Sequence, residues 1–193
     1  MNIIAGLARG VELSVPPGIP VRPTTGRVRK ALFDSLGDLS DLNILDLFSG
    51  SGALALESLS RGARSAAMVE LEAHHIHCIE KNLNAVRAAG VSEPAVIIQA
   101  DATRPENYLA RLKQLPDMIF ADPPYPISAE CFNKLLSNNY FCKTLAGKLL
   151  IWELPDHPGA AGEFLSGAKL MDDFKLRRYA NTMFVTGKIK NVQ

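Results

Sequence analysis

The chain has only three cysteines, Cys78, Cys131 and Cys142, and no Cys-x-x-Cys pair. An odd and small number excludes a secreted disulfide scaffold and fits a reducing compartment. No apolar run approaches the roughly 18 residues that a membrane span needs. The longest, around Ala66–Val69 and Gly147–Trp152, have the length of core strands. Met1–Gly10 lacks the basic start, apolar stretch and small-residue cleavage site of a signal peptide, so a cytoplasmic location is expected. Internal repeats and low-complexity tracts are also missing. Neither sign of charge is in excess: 21 basic and 20 acidic residues give +1. A hydrophobic fraction of 47% excludes a disordered chain, and 193 residues suffice for one domain with a real core.

The near-zero net charge hides an asymmetry. Residues 1–30 hold Arg9, Arg22, Arg27, Arg29 and Lys30 against Glu12 alone, a net of +4. A basic arm on a mildly acidic body points to an anionic partner held at one end, or to a solvated arm. Residues 2–15 read as a hairpin, because Val11, Leu13 and Val15 alternate with Glu12 and Ser14 and Gly10 offers a turn. Residues 16–24 carry four prolines and should be extended and stiff. A helix should start at Thr24 or Thr25, either able to cap it, with Val28, Ala31, Leu32 and Leu36 inward and Arg27, Arg29, Lys30 and Asp34 elsewhere.

From residue 43 strands alternate with helices. Asn43–Phe48, Ala66–Glu70, Ala95–Gln99, Met118–Ala121 and Lys148–Trp152 are short apolar runs of the kind covered on both faces. Helical segments fall near 52–61, 73–89, 104–113 and 128–138. Right-handed crossovers then give an α/β fold with a doubly wound, mostly parallel sheet. The tail, 168–190, reads as an antiparallel edge hairpin turning near Tyr179–Asn181. Two parts result: a basic hairpin-and-helix extension, 1–40, and a Rossmann-like domain, 41–193.

In such a sheet ligands bind beyond the carboxyl ends of the strands. Asp46-Leu-Phe-Ser-Gly-Ser-Gly52 follows the first strand, and Gly50 and Gly52 allow a tight turn against a ligand. Glu70 ends the second strand, where an acid can accept both hydroxyls of a ribose. Asp101 follows the third strand and Asp122-Pro-Pro-Tyr125 the fourth. Gly50-Ser-Gly52-Ala-Leu-Ala55 formally fits a dinucleotide fingerprint, so an NAD-dependent oxidoreductase enters the comparison. Asp46 argues against it, since a carboxylate there repels pyrophosphate and welcomes the ammonium group of a sulfonium-bearing amino acid.

Asp122-Pro-Pro-Tyr125 has a coherent chemistry of its own. The Asp122 carboxylate and Pro123 carbonyl are acceptors in a turn whose prolines offer no donors. Two acceptors holding the hydrogens of an exocyclic base amine favour a pyramidal, nucleophilic nitrogen and stabilise its developing positive charge. Tyr125 can stack on the base.

These residues carry a resemblance. The chain resembles class I S-adenosylmethionine-dependent methyltransferases that methylate amines, and more closely the bacterial 16S ribosomal RNA guanine-N2 methyltransferases, the RsmD family. The matching segments are Arg22–Phe33, Leu45–Leu54, Ser60–Ala63, Asn82-Leu-Asn84 and Asp122–Tyr125. The first discriminates, because Asp-Pro-Pro-Tyr is shared with DNA adenine methylases. The chain departs from the family at Gly26, usually Asp, and at Lys30, usually Glu. The resemblance implies S-adenosyl-L-methionine as cofactor, with Asp46, Phe48, Ser49, Gly50, Gly52, Glu70, Leu71, Asp101, Ala102 and Asp122 around it. It implies Asp122, Pro123, Pro124 and Tyr125 as the catalytic motif. Arg22, Thr24, Arg27, Arg29, Lys30 and Tyr125 would contact ribosomal RNA, the expected partner; the sequence favours a monomer without deciding the oligomeric state. A DNA adenine-N6 methyltransferase is the nearest rival, although no insertion long enough to read duplex sequence is evident. A non-catalytic RNA-binding module leaves the strand-end acids unexplained.

Three further features stand apart. His74, His77 and Cys78 share a helix face, but the proposed chemistry needs no metal, and Cys78 reads better as a core-facing thiol. Arg177 and Arg178 read equally as RNA contacts or as charges guarding an edge strand. Trp152 reads as core and Glu153 as part of the substrate pocket.

Overall fold

Five parallel strands form the centre of the computed structural model, which describes residues 1–16, 26–154, 162, 164–179 and 182–191. They are β1 (Asn43–Leu47), β2 (Ser65–Glu70), β3 (Ala95–Gln99), β4 (Met118–Ala121) and β5 (Leu149–Leu154). The tail adds β6 (Met171–Tyr179) and β7 (Thr182–Ile189). The order across the sheet is β3-β2-β1-β4-β5-β7-β6, with β7 antiparallel to both neighbours. The doubly wound sheet and its antiparallel C-terminal hairpin are therefore as expected. The turn at Ala180 and Asn181 lies outside the described residues.

Side chains alternate across the sheet, as strand geometry requires. Leu45, Leu47, Val69, Ile98, Ile119 and Trp152 enter one core with α4 (Ser128–Leu136) and α5 (Asn139–Thr144). Ile44, Met68, Phe120 and Ile151 enter the other, with α1 (Gly26–Leu36), α2 (Ala53–Ser60) and α3 (Ala73–Ala88). The chain runs outward from β1 to β3, then returns to lay β4 on the opposite side of β1. That reversal falls between β1 and β4, and the carboxyl ends of such a strand pair are the position where such sheets hold ligands. Among the described residues no helix is long and apolar enough to cross a membrane.

Some expectations are corrected. Residues 104–113 form two 3-10 turns, Pro105–Asn107 and Leu109–Arg111, and not an α-helix. Buried Pro105, Tyr108 and Leu109 keep the spacing of a helical stripe, but the backbone amides bond three residues back, Tyr108 to Pro105 and Leu112 to Leu109, each at 3.2 Å. The helix expected over 128–138 ends at Leu136, and α5 follows, capped by Asn138, whose Oδ1 accepts the Phe141 amide at 3.0 Å. A short α6 (Leu165–Ala168) precedes β6.

The N-terminal hairpin has one antiparallel bridge, Asn2 with Glu12. Its residues Ile3, Ala8 and Leu13 are packed into the same core as Ile44 and Phe120. Gly6 lies against α2: a Cβ there would sit 1.7 Å from the Ser60 carbonyl oxygen, and its φ is +80°. The proline-rich course after Pro16, the caps Thr24 and Thr25, and the site candidates Arg22 and Thr24 lie outside the described residues.

Candidate active site

The site begins with the turn that leaves β1. Phe48 has φ +58°, Gly50 +56° and Gly52 +76°. For Phe48 this left-handed conformation is strained, and such strain persists only where surroundings impose it. Ser49 imposes part of it: its Oγ donates to the Asp46 carbonyl at 2.7 Å and its amide to Val69 at 3.1 Å. The Phe48 ring packs edge-on to Trp152, 6.0 Å between centroids. A side chain at Gly52 would press on Met68 and Ile79 at 3.1 and 3.2 Å.

Four carboxylates stand at the ends of four neighbouring strands. Asp46, on β1, is buried and its Oδ2 accepts only weakly from the Ala55 amide at 3.3 Å. Burial pushes its pKa well up; the Ala55 amide opposes this, while the charges of Asp122 and Glu70 add to it. Glu70, on β2, crosses to the glycine turn. Its Oε2 accepts from the Gly50 amide at 2.8 Å, and its Oε1 from Leu71 and Glu72 at 2.8 and 3.0 Å. His75 Nδ1 lies 3.3 Å from Oε1, a neighbour the sequence reading did not single out. Asp101, beyond β3, accepts from the Thr103 amide and hydroxyl, both at 2.8 Å. Burial raises its pKa, but the Thr103 hydrogen bonds, Lys134 and Arg104 together carry it below the ordinary value. Leu71 is exposed beside Glu70, and Ala102 is buried beneath Asp101.

The fourth strand leads into Asp122–Tyr125. Asp122 is half-buried, Pro123 buried and Pro124 exposed, with Tyr125 opening a 3-10 turn, Tyr125–Ile127. The Tyr125 hydroxyl donates to Glu153 Oε1 at 3.0 Å. Glu153 is buried at the end of β5. Ser128 ties this end together, donating to the Glu153 carbonyl at 3.3 Å and accepting the Trp152 indole at 2.9 Å. Ser128 was not legible as a site residue, because nothing in the sequence relates it to β5.

The basic residues divide. Arg27 and Lys30 are exposed on α1, with Lys30 paired to Asp34 at 2.5 Å. Arg29 is buried and corrects the expectation that it faces outward. Its guanidinium donates to the Asn2 carbonyl and Met1 Sδ, and burial lowers its pKa, with Glu57 raising it and Arg61 lowering it to smaller extents. A side chain so held clamps the N-terminal segment and is not presented to a phosphate. In α3, His77 Nδ1 lies 2.8 Å from the Ala73 carbonyl, and the Cys78 thiol donates to Ser14 at 3.2 Å.

This arrangement can hold a cation at the β1 end, accept hydroxyls at the β2 end, and fix an amine against the acceptors of the β4 turn. Residues 1–158 match the family described as Conserved hypothetical protein 95. Over 155 residues the chain is 36% identical to ribosomal RNA small subunit methyltransferase D of Escherichia coli, covering 79% of this chain and 73% of that one. A Thermus thermophilus structure superimposes with a TM-score of 0.70 at 28% identity, covering 98% and 99% of the two chains. The rRNA methyltransferase aviRa of Streptomyces viridochromogenes shares the fold at a TM-score of 0.66 and 19% identity, covering 94% and 91%. The chain belongs to the Conserved hypothetical protein 95 family, the methyltransferase family of ribosomal RNA small subunit methyltransferase D.

Proposed function

We propose that this protein transfers a methyl group from S-adenosyl-L-methionine to the exocyclic N2 amine of a guanine in bacterial 16S ribosomal RNA. One observation carries this reading: Asp46, buried on β1, stands between Glu70 on β2 and Asp122 after β4, three carboxylates at the carboxyl ends of neighbouring strands. Such a site favours a cationic ligand and opposes a pyrophosphate. Asp46 and Phe48, Ser49, Gly50 and Gly52 fit the ammonium end of the cofactor. Glu70 with Leu71 fits its ribose, and Asp101 with Ala102 its adenine. When bound, the cofactor supplies a methyl group activated by positive sulfur.

The chain's own part is to make a poor nucleophile competent. Asp122 and the Pro123 carbonyl accept the two amine hydrogens, and Pro124 stiffens the turn. Held in this way, the amine nitrogen would turn its lone pair toward the methyl group that the bound cofactor would supply. The nitrogen then gives up one proton to Asp122. Tyr125 would stack on the base and hold its amine against the acceptors of the turn. Residues 1–40 face the RNA, with Arg27 and Lys30 of α1 toward phosphate and Arg22 and Thr24 in the preceding segment, while 41–193 perform the chemistry.

Incubation with methyl-labelled S-adenosylmethionine and small ribosomal particles from a strain lacking the enzyme tests this. Label at guanine N2 is expected. Label at adenine N6 of DNA supplied in parallel would assign the DNA methylase reading. Tight NAD binding with no binding of S-adenosylmethionine would overturn methyl transfer altogether.

A further inference from the structure

Asn82 lies in the middle of α3, and its side chain is almost completely buried, at 1% exposure. A buried primary amide must find partners for both its oxygen and its nitrogen. Here it finds them on two different elements. Oδ1 accepts the Ser14 amide at 2.8 Å, and Nδ2 donates to the Ser14 carbonyl at 2.9 Å. The side chain thus meets Ser14 as a neighbouring strand would, with one bond in each direction. Nδ2 also donates to the Ser51 carbonyl at 2.8 Å. Ser51 lies between Gly50, whose amide is held by Glu70, and Gly52, from which α2 starts.

One amide group therefore joins the glycine turn to the segment leading out of the N-terminal hairpin. Each partner depends on the other through it. Moving the Ser51 carbonyl pulls the amide with it or leaves an Nδ2 hydrogen unpaired, so the orientation in which the amide meets Ser14 depends on where the glycine turn sits. The Cys78 thiol adds a bond to the same Ser14 carbonyl at 3.2 Å, so Ser14 is held from two positions one helical turn apart.

We propose that Asn82 is a positioning residue that couples cofactor binding at the glycine turn to the placement of the N-terminal segment, and through it to RNA binding. This rests on the reading of Phe48–Gly52 as the cofactor turn and of the N-terminal extension as RNA-facing. Asn82 touches neither ligand. By linkage, the factor by which cofactor tightens RNA must equal the factor by which RNA tightens cofactor.

Hydrogen exchange at the Ser14 amide reads the coupling directly, on the unaltered full-length chain with and without saturating S-adenosylhomocysteine. Exchange at Ser14 should slow by about threefold or more when that ligand is bound. Asn82→Asp keeps the acceptor for the Ser14 amide but loses the Nδ2 donor to both the Ser14 and the Ser51 carbonyls, so the Ser14 amide should stop responding to the ligand. In filter binding to a 16S ribosomal RNA transcript, S-adenosylhomocysteine should tighten the unaltered chain by about five- to tenfold, and Asn82→Leu by less than about twofold. A purely structural Asn82 predicts lower melting temperatures for the variants and an unchanged coupling factor, which would overturn the proposal. So would binding of S-adenosylhomocysteine to the unaltered chain with no change at Ser14, whatever the variants do. Failure of that ligand to bind at all is a different result, and it removes the methyl-transfer reading together with the coupling built on it.

Discussion

The Tyr125 hydroxyl donates to the buried Glu153 carboxyl at 3.0 Å, joining the turn after β4 to the end of β5. Stacking alone would need only the ring. This bond adds a fixed orientation, because it holds the ring from its far end while the proline turn holds it from the backbone. Tyr125→Phe should therefore cost about 1 kcal/mol of stability and raise the KM for RNA more than it lowers kcat, whereas Tyr125→Ala should damage both. Steady-state kinetics together with melting curves check this. Wild-type kinetics and stability for Tyr125→Phe would show that the hydroxyl contact is idle.

In the proposed mechanism Asp122 acts in the transition state more than in binding. Asp122→Ala should lower kcat by about a hundredfold or more, the scale found when one preorganised polar contact to developing charge is removed. Calorimetric affinity for S-adenosylmethionine should stay within a few fold. Near-normal turnover by this variant would remove the aspartate from the mechanism.

Asp46 gives the free protein a pH signature. A carboxyl whose pKa is raised on folding binds more protons folded than unfolded at pH values between the two pKa values. Its contribution to stability is complete below the ordinary carboxylate pKa and is lost as pH rises through the raised one. Asp34, Asp101 and Asp117 have lowered pKa values and act in the opposite sense, their contributions lost as pH falls. The difference between wild type and Asp46→Asn isolates Asp46. Relative to the variant, the wild type should melt progressively lower as pH rises over that interval, and its affinity for S-adenosylmethionine should climb. Parallel melting profiles for the two proteins would contradict the assignment.

Arg27 and Arg29 are two residues apart and should behave as opposites. Arg27→Ala, at an exposed position, should reduce the salt slope of RNA binding by somewhat under one unit and leave the melting temperature alone. Arg29→Ala removes the buried clamp on Asn2 and Met1, at a cost of about 1.5–3 kcal/mol. At about 2–4 °C per kcal/mol for a domain of this size, the loss is visible in a melting curve. Both variants should bind S-adenosylmethionine normally. A changed salt slope for Arg29→Ala without destabilisation would return that residue to the RNA surface.

Much of the fold was legible because it rests on local pattern. The strands β1 to β5 are short apolar runs, and a chain that alternates such runs with helices has few ways to wind. The strand-end positions of Asp46, Glu70, Asp101 and Asp122 followed from the same winding. The elements that failed were those set by competition between neighbours. Residues 104–113 have the apolar spacing of a helix, yet their backbone amides bond three residues back and form 3-10 turns, a choice that the side-chain pattern does not carry. α4 stops at Leu136 because Asn138, two residues on, caps the next helix, and apolar periodicity alone runs through this break.

The sequence by itself determined the order of the strands, the glycine turn, the strand-end acids and the Asp122–Tyr125 motif, because each is a short stretch whose meaning depends on its own residues. Only the tertiary structure decided which side chains serve each other across long stretches of chain. It turned Arg29 inward, gave Tyr125 a partner at Glu153, set His75 beside Glu70, and placed Asn82 between Ser14 and Ser51. Periodicity tells whether a position faces inward or outward on its own element. A buried polar group must be paired wherever the packed chain offers a partner, and which partner that is depends on how distant segments are brought together.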